Sequence, residues 1–421
     1  MSNIIEAISI PKKIFTLSGH WPGAKTTIFQ RILFCLEILF SLSLLAELPN
    51  HFDDYEILSE HLSITISPTS YLIKLIIFKF KSDAVQHLIS SIKLKEFNNC
   101  PKHLRDIIEE TVKYSKFLGH GYQLLCFVTV LLYSLVPMFT KADLPVKFSY
   151  NTGNFKPVMY AFQVIDIEGL VSAASNNSSM DILAMSSMRI CAAQIEILNR
   201  KIIGLSDEYE KYRTDHIKTQ LKECVKHHMK IIRYGKSNEK YYSRMTYSTF
   251  YVACFHQIHV LITSYLHQIF VIKPDQVESW INIKLSMIII EQSSTFTGTK
   301  ILNKVFSMII LTQYATSAVV ICNLGFQLVH VNPMSLKFVC MTVYFSAMMI
   351  QLAMYCWFGN EIIAKSLAIS DACYEFKWFE SDLETRKTII TIMERSKQPL
   401  FLKVEKFSIL SLQAFTSVSN F

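Results

Sequence analysis

The chain alternates long apolar stretches with basic connections, and several stretches are long enough to cross a bilayer. A transmembrane helix needs about 20 apolar residues, because no water is present to satisfy exposed backbone groups. The clearest stretches are 28–48, 121–139, 306–329 and 336–358. This pattern predicts helices that span a membrane.

Three weaker stretches complete a set of seven predicted spans. Residues 58–80 are interrupted by Pro68, and residues 157–198 are too long for a simple span. We interpret the latter as one helix that projects beyond the bilayer, and residues 401–421 as the last span. The apolar stretch 249–272 is left out, because a crossing there would invert every later span.

Lysine and arginine in the connections indicate the orientation, because cytoplasmic loops carry an excess of these residues. They are concentrated in residues 79–116, 200–230 and 365–397, whereas 49–57 and 330–335 contain neither. The sequence therefore predicts an all-α membrane protein of seven transmembrane helices with inverted topology. Its N-terminus is cytoplasmic and its C-terminus lies outside.

Composition supports a membrane protein and argues against other classes. The chain has 421 residues, of which 51% are apolar and 18% are charged. Soluble domains have about 25% charged residues. The net charge of +8 fits the bias of the loops and predicts no nucleic-acid partner. The sequence contains no phosphate loop, G-x-S-x-G or H-E-x-x-H motif, so we predict no enzyme, cofactor or metal site.

Aromatic, methionine and hydroxyl side chains in the second to fifth spans suggest a small-molecule pocket in the outer half of the bundle. Such a pocket depends mainly on shape and dispersion contacts, with one or two hydroxyls for orientation. The candidates are Tyr71, Phe127, Tyr133, Met138, Tyr160, Phe162, Tyr314 and Ser317. The alternative for each is a lipid-facing or core-packing role.

The most specific pattern lies between residues 344 and 415. It reads YFSAMMIQLAMYCWFGNEIIAKSLAISDACYEFKWFE and then RKTIITIMERSKQPLFLKVEKFSILSLQAF. This run closely resembles the insect odorant receptor family, the inverted seven-span receptors that act as ligand-gated cation channels. The matching residues include Gln351, Tyr355, Cys356, Gly359, Asn360, Ser366, Ala372, Arg386, Met393, Ser396, Pro399 and Phe407, with Pro68 and Lys74 in the second span.

The resemblance implies four subunits around a pore, which opens when an odorant binds in the outer pocket of a subunit. Residues 361–400 would form a cytoplasmic anchor between subunits, although they could instead pack only within their own subunit. The implied residues are Tyr374, Trp378 and Arg395 for the anchor, and Leu412, Phe415 and Val418 for the pore-lining span.

The chain does not resemble the shared coreceptor of the family. We therefore predict a variable, odour-tuning subunit that forms a hetero-tetramer with the coreceptor in the plasma membrane of olfactory sensory neurons. Its partners would be a volatile odorant and the lipid bilayer. The alternatives are a gustatory-type channel, from whose T-Y-x5-Q-F motif S-L-Q-A-F departs, and a metabotropic seven-span receptor, which predicts D-R-Y and N-P-x-x-Y motifs.

Two features depart from the family pattern. The chain ends six residues after Phe415, and its final apolar part, 407–421, is about 22 Å long as a helix, short of a bilayer core near 30 Å. We expect a chain truncated at the pore. Residues 241–302 have no counterpart and form an anomalous insert. They are either a retained intron or gene-model artefact, or a cytoplasmic excursion that lies on the membrane.

Overall fold

A computed structural model of the chain contains a bundle of long helices. It describes residues 3–51, 55–93, 101–140, 156–209, 298–376, 378–380, 383–404 and 408–419. Residues 241–297 of the predicted insert lie outside these ranges.

The described elements are ten α-helices, four short 3₁₀ turns and one two-stranded hairpin. The helices are α1 Ser9–Leu17, α2 Ile28–Glu47, α3 Tyr55–Phe80, α4 Ser82–Ile92, α5 Arg105–Thr140, α6 Lys156–Tyr209, α7 Gly298–His330, α8 Leu336–Glu375, α9 Leu383–Ser396 and α10 Leu412–Ser419. The 3₁₀ turns are Ile4–Ile8, Leu48–His51, Lys102–Leu104 and Trp378–Glu380, and the strands are β1 Lys403–Val404 and β2 Ser408–Ile409.

Side-chain caps set the first residues of two predicted spans. Before α2, Thr27 Oγ1 accepts a hydrogen bond from the Gln30 backbone N–H (3.3 Å), and Gln30 Oε1 accepts one from the Thr27 N–H (2.9 Å). Ser335 Oγ accepts from the Phe338 N–H at 3.1 Å before α8. Each cap satisfies a backbone donor that the helix cannot pair itself. The spans therefore begin where the apolar pattern predicts.

Five segments in the described part of the chain are long and apolar enough to cross a membrane. They are Ile28–Asn50, Leu58–Phe80, Lys102–Ser134, Val305–His330 and Leu336–Glu375, and they overlap five of the predicted spans. The prediction of an all-α membrane fold is confirmed. The orientation of the bundle stays a prediction.

Helix α6 is a single element of 54 residues. Its continuity agrees with the prediction of one long helix for residues 157–198. Its side chains from Ser178 to Leu198 are almost all buried, because α6 packs between α5 and α8. This central helix therefore carries polar groups where they can find partners inside the bundle.

The predicted interruption at Pro68 is wrong, because α3 continues through this residue. Proline removes one backbone hydrogen bond from a helix, but side chains of α7 hold α3 on both sides of it. Asn323 Nδ2 donates to Ser63 Oγ at 2.6 Å, and Ser70 Oγ lies 3.2 Å from Thr316 Oγ1.

The last predicted span, 401–421, is not one continuous helix in the described residues. Strands β1 and β2 pair antiparallel, with Lys403 opposite Ile409, and α10 has only eight residues. Leu410, which follows β2, packs against α8 at Gly359, where an added Cβ would lie 2.5 Å from Leu410 Cβ. The charges of this stretch explain the difference, since a central charge in a bilayer costs about 3 kcal/mol.

Charged side chains join α6 to α8 at the end of the bundle away from the turn at 331–335. Arg189 pairs with Glu361, and Lys365 lies 2.9 Å from Glu361 and 2.6 Å from Glu196. Asn199 Nδ2 also donates to the Lys365 carbonyl at 3.1 Å. Alternating signs in one cluster hold the two helices in register.

Candidate ligand-binding cavity

A cavity of about 120 Å³ lies between α3, α5, α6 and α8. It occupies the first halves of α3, α6 and α8 and the second half of α5. Its lining side chains are mostly apolar or aromatic, with a few hydroxyl and amide groups. They are Ile64, Ser67, Pro68, Tyr122, Cys126, Thr129, Val130, Tyr133, Leu170, Ala173, Ala174, Asn177, Tyr344, Ala347, Met348 and Gln351.

Helical spacing brings these residues to one wall on each helix. On α5 the lining positions recur at Tyr122, Cys126, Thr129 and Tyr133, intervals of three or four residues that define one face. On α6 and α8 the same spacing includes three alanines, whose small side chains leave space where larger ones would fill the core. The cavity therefore follows from side-chain size on helices that otherwise pack closely.

Two tyrosines shape one side of the cavity. The rings of Tyr133 and Tyr344 meet edge to face, with centroids 5.6 Å apart and an interplanar angle of 82°. The Tyr344 hydroxyl lies 2.5 Å from Ser67 Oγ and 3.2 Å from the Ser63 carbonyl. These contacts fix the Tyr344 ring, because a buried hydroxyl requires a partner.

A buried ion pair lies beside the polar end of the cavity. Lys74 Nζ is 2.9 Å from Asp181 Oδ1, and both side chains are fully buried. Asp181 also accepts hydrogen bonds from Gln351 Nε2 and from the Tyr355 hydroxyl, the latter at 2.7 Å. Lys74 Nζ donates to Asn177 Oδ1 at 2.8 Å. Each charge is thus paired and further hydrogen-bonded, which offsets the cost of desolvation.

The cavity wall shares two residues with this network. Asn177 and Gln351 both line the cavity and contact the ion pair directly. Gln351 Oε1 accepts from Gln313 Nε2 at 2.6 Å, and Gln313 also donates to Ser317 Oγ at 2.8 Å. Continuous hydrogen bonds therefore connect the cavity wall to side chains on α3, α6, α7 and α8.

A second buried acid, Glu37 on α2, accepts hydrogen bonds from side chains of α3 and α6. Its carboxylate accepts from the Ser172 hydroxyl, from Asn176 Nδ2 at 3.2 Å and from the Tyr71 hydroxyl at 3.3 Å. His20 Nε2 lies 3.7 Å away. These groups tie α2 and the segment after α1 to the bundle.

Of the five predicted pocket residues whose side chains the structure describes, one, Tyr133, lines the cavity. Tyr71 is buried and bonded to Glu37 instead. Ser317 accepts from Gln313, and the Tyr314 hydroxyl lies 2.5 Å from Cys356 Sγ. Phe127 is 50% exposed and is not among the lining residues.

Three further pocket candidates lie on described helices, but their side chains fall outside what the structure describes. Met138 is near the end of α5, and Tyr160 and Phe162 are near the start of α6. All three lie in the halves of α5 and α6 that border the cavity. Their role in ligand binding stays a prediction.

The predicted anchor residues lie near the ends of α8 and α9 and in the 3₁₀ turn Trp378–Glu380 between them, and the predicted pore residues lie on α10. Tyr374 is 70% exposed, Trp378 packs against the main core, and Arg395 is partly buried on α9. On α10, Leu412 is 38% exposed and Phe415 is partly buried, while the side chain of Val418 lies outside the description.

Sequence reasoning missed most of the wall, including Cys126, Asn177 and Ala347. The repeat of three or four residues along α5 would have indicated a shared face but not which face. Asp181 carried a clearer signal, because an ionisable group at membrane depth is rare and requires a partner. Lys74, Gln351 and Tyr355 had already been noted as part of the family pattern.

In the described ranges no group of three or more histidine, cysteine, aspartate or glutamate side chains could hold a metal ion. The mostly apolar cavity wall, with its few hydroxyl and amide groups, suits non-covalent binding by shape, dispersion contact and hydrogen bonds.

Known proteins resemble this chain in sequence over part of its length. It is 32% identical to odorant receptor 22c of Drosophila melanogaster over 117 residues, 28% of this chain and 29% of that protein. It is 31% identical to odorant receptor 94a of the same species, covering 28% of this chain and 31% of that protein. The chain thus matches less than a third of the length of these curated relatives.

Solved structures resemble it over nearly its whole length. The insect olfactory receptor OR5 from Machilis hrabei superposes with a TM-score of 0.73 at 16% identity, covering 98% of this chain and 94% of that one. The same receptor in complex with eugenol gives the same TM-score at 15% identity. At this identity the likeness establishes the fold alone.

A family model described as 7tm Odorant receptor matches residues 55–278 and 271–421. Both segments extend into residues 241–302, the predicted insert, whose origin stays a prediction. The match covers far more than half of the chain, and membership in a receptor family agrees with the expectation that the chain is not an enzyme. The chain therefore belongs to the 7tm odorant receptor family.

Proposed function

We propose that this chain is an odorant receptor subunit that binds a small volatile molecule in the cavity between α3, α5, α6 and α8. The cavity itself carries the proposal. Its volume of about 120 Å³ is close to that of an engineered apolar protein cavity of about 150 Å³ that binds benzene. The complex of the Machilis hrabei receptor with eugenol supports a small-molecule ligand.

The subunit acts together with the odorant receptor coreceptor in a ligand-gated cation channel. Family membership supports this assignment, and so does the apolar surface of the anchor region, 361–400. Tyr374, Phe379 and Leu383 there are 70%, 59% and 63% exposed, and exposed apolar groups of this kind suit a contact between subunits. Leu412, Phe415 and Val418 on α10 remain the proposed contribution to the pore.

Ligand binding opens the channel only through a difference in affinity between the closed and open states. Asn177 and Gln351 provide a physical link, since they face the cavity and bond to the Lys74–Asp181 pair. A ligand that favours one arrangement of these side chains favours one packing of α3, α6 and α8. This coupling requires no change of charge.

The chain lies in the plasma membrane of olfactory sensory neurons with a cytoplasmic N-terminus. The basic connections after α3, α6 and α8 support that orientation. An epitope at residue 1 should stain only permeabilised cells. Staining of intact cells would contradict the inverted topology.

Recording from cells that express this chain with the coreceptor tests the binding site. We expect currents in response to at least one volatile of benzene-like size, and a shift of about tenfold or more in half-maximal concentration for Tyr133→Ala, by analogy with the cost of removing a buried aromatic ring. Phe127→Ala on the same helix is the matched control and should shift the response little. Equal shifts for both variants would contradict the proposed cavity.

Co-precipitation of the full chain with the coreceptor tests the partnership. Leu383→Asp, on the exposed apolar surface, should reduce recovery. Met334→Asp, at a position 95% exposed at the opposite end of the bundle, is the control and should not. Unchanged recovery of the coreceptor with Leu383→Asp would place the contact elsewhere.

A further inference from the structure

The orientation of the Asn177 amide in the cavity wall is set by its neighbour. The Lys74 ammonium has only donors, so the amide atom that lies 2.8 Å from it must be the oxygen, Oδ1. The two nitrogens repel as donors in the flipped orientation. The amide NH₂ of Asn177 is therefore the end left for the cavity.

In the described part of the chain, the Asn177 side chain makes no hydrogen bond other than that from Lys74. In the described residues, every other polar wall group except the Tyr133 hydroxyl has a hydrogen-bond partner. Gln351 donates to Asp181 and accepts from Gln313, and Ser67 bonds to Tyr344. The Asn177 NH₂ thus faces the cavity with its donor capacity unused.

We infer that Asn177 determines specificity by donating a hydrogen bond to an acceptor oxygen of the ligand. The ligand class is a small molecule with an apolar body and an aldehyde, ketone, ester or ether oxygen at one end. This inference rests on the proposed function. A hydrocarbon of the same size would leave the NH₂ desolvated without a partner, and buried donors without partners are costly.

Two features of the surroundings strengthen this selection. The ammonium of Lys74 polarises the amide through its oxygen, which makes the NH₂ a better donor. The Tyr133 hydroxyl, the other polar wall group without a partner in the described residues, can rotate and either donate or accept. Only the Asn177 NH₂ is restricted to donation, so it discriminates acceptors from other groups.

Binding of two probes of matched shape tests the inference without the channel. The full-length chain is purified into lipid nanodiscs, and dissociation constants for benzaldehyde and toluene are derived from the ligand-dependent rise in thermal midpoint. Empty nanodiscs provide the correction for partitioning. We expect benzaldehyde to bind about three- to tenfold more tightly than toluene, the range of one net hydrogen bond.

Asn177→Leu, which keeps the branching and the number of side-chain heavy atoms, should abolish this preference by weakening benzaldehyde about three- to tenfold while leaving toluene unchanged or tighter. Asn177→Thr keeps an oxygen that accepts from Lys74 and serves if the leucine variant does not fold. Asn176→Leu is the neighbouring control. It removes a buried amide bonded to Glu37 and should lower the midpoint without changing the ratio of the two probes.

The outcomes separate the two proposals. Equal affinity for benzaldehyde and toluene in the natural chain, or an unchanged ratio in both Asn177 variants, overturns the role of Asn177 while the cavity still binds ligand. If Tyr133→Phe instead changes the ratio of the two affinities, the donor is the Tyr133 hydroxyl, and the role of Asn177 is overturned as well. Failure of both probes to bind overturns this inference together with the proposed binding site.

Discussion

Lys74 Nζ lies 2.9 Å from Asp181 Oδ1, and neither side chain is exposed. The two charges come from α3 and α6, and the hydrogen bonds from Gln351 and Tyr355 add α8 to the same contact. Inside a bundle of low dielectric the cost of burying each ion is offset by its counter-ion and by its further hydrogen bonds. The pair therefore joins three helices that also form the cavity wall.

Removal of one member of this pair should destabilise the chain strongly. We expect Lys74→Met or Asp181→Asn to reduce the free energy of unfolding by about 3–5 kcal/mol, because each leaves an uncompensated buried charge. The thermal midpoint of the purified chain in detergent measures the effect.

The double variant Lys74→Met with Asp181→Asn is the control for that prediction. It leaves no charge behind and should be more stable than the sum of the single effects by about 0.5–3 kcal/mol. Strictly additive losses would mean that the pair is not coupled.

A side chain at Gly359 should displace the hairpin from α8. The added Cβ would lie 2.5 Å from Leu410 Cβ and 2.7 Å from the Leu410 carbonyl oxygen, distances that backbone atoms cannot relieve without movement. We expect Gly359→Ala to cost about 1–3 kcal/mol, read as a lower thermal midpoint and faster proteolysis near residues 403–409. Gly325→Ala, with no atom within 4 Å of the added Cβ, should not lower the midpoint.

Filling the cavity should abolish ligand responses without loss of the fold. Ala347 lines the cavity, and Ala347→Phe places a ring in the space that a ligand would occupy. Responses of the channel complex to the activating volatile should disappear at unchanged surface expression. Val339→Phe, on the same helix at a position 47% exposed, should respond normally; a comparable loss there would point to a general effect on α8.

The contact between the N-terminal segment and α5 should depend on pH. Lys116 Nζ lies 2.6 Å from Glu6 Oε2, and this hydrogen bond holds the pKa of the Glu6 carboxyl below its ordinary value of 4.5. A carboxyl whose pKa is lowered by folding stabilises the folded state at pH values above its ordinary pKa. This contribution is lost as the pH falls through the lowered pKa.

The difference in thermal midpoint between the natural chain and Glu6→Gln measures this contribution. This difference should be small, because both groups are partly exposed. It should be constant above about pH 4.5 and should shrink at lower pH as Glu6 is protonated. Lys116→Met should remove the same difference. A gap between the two chains that widens at low pH would contradict the assignment.

Much of the fold was predictable because the bilayer imposes length and apolarity on each crossing segment. Residues 28–48 and 336–358 begin at capped positions, and the long helix through residues 157–198 is continuous. The last predicted span was less secure, since Lys403 and its neighbours place charges in the stretch. There the apolar pattern indicated a helix, but strands β1 and β2 form a hairpin, and Leu410 at its end packs against Gly359.

The ligand site was predicted less well, and Tyr133 and Tyr71 illustrate why. Both are tyrosines in apolar helices, with nothing in the local pattern to separate them. Tyr133 faces the cavity and Tyr71 bonds to Glu37 only because of the rotation of α5 and α3 relative to α6. Such rotations are decided by packing between helices distant in sequence.

The sequence by itself determined the class of protein, the position of most membrane helices and the family, because these depend on local hydropathy and on residue patterns within single segments. Only the tertiary structure decided which side chains share a space. Lys74 and Asp181 are 107 residues apart in the sequence, and Asp181 and Gln351 are 170 residues apart. Their contacts exist only after α3, α6 and α8 have packed. The cavity is decided at that level too, since it is space left between helices rather than a property of any one of them.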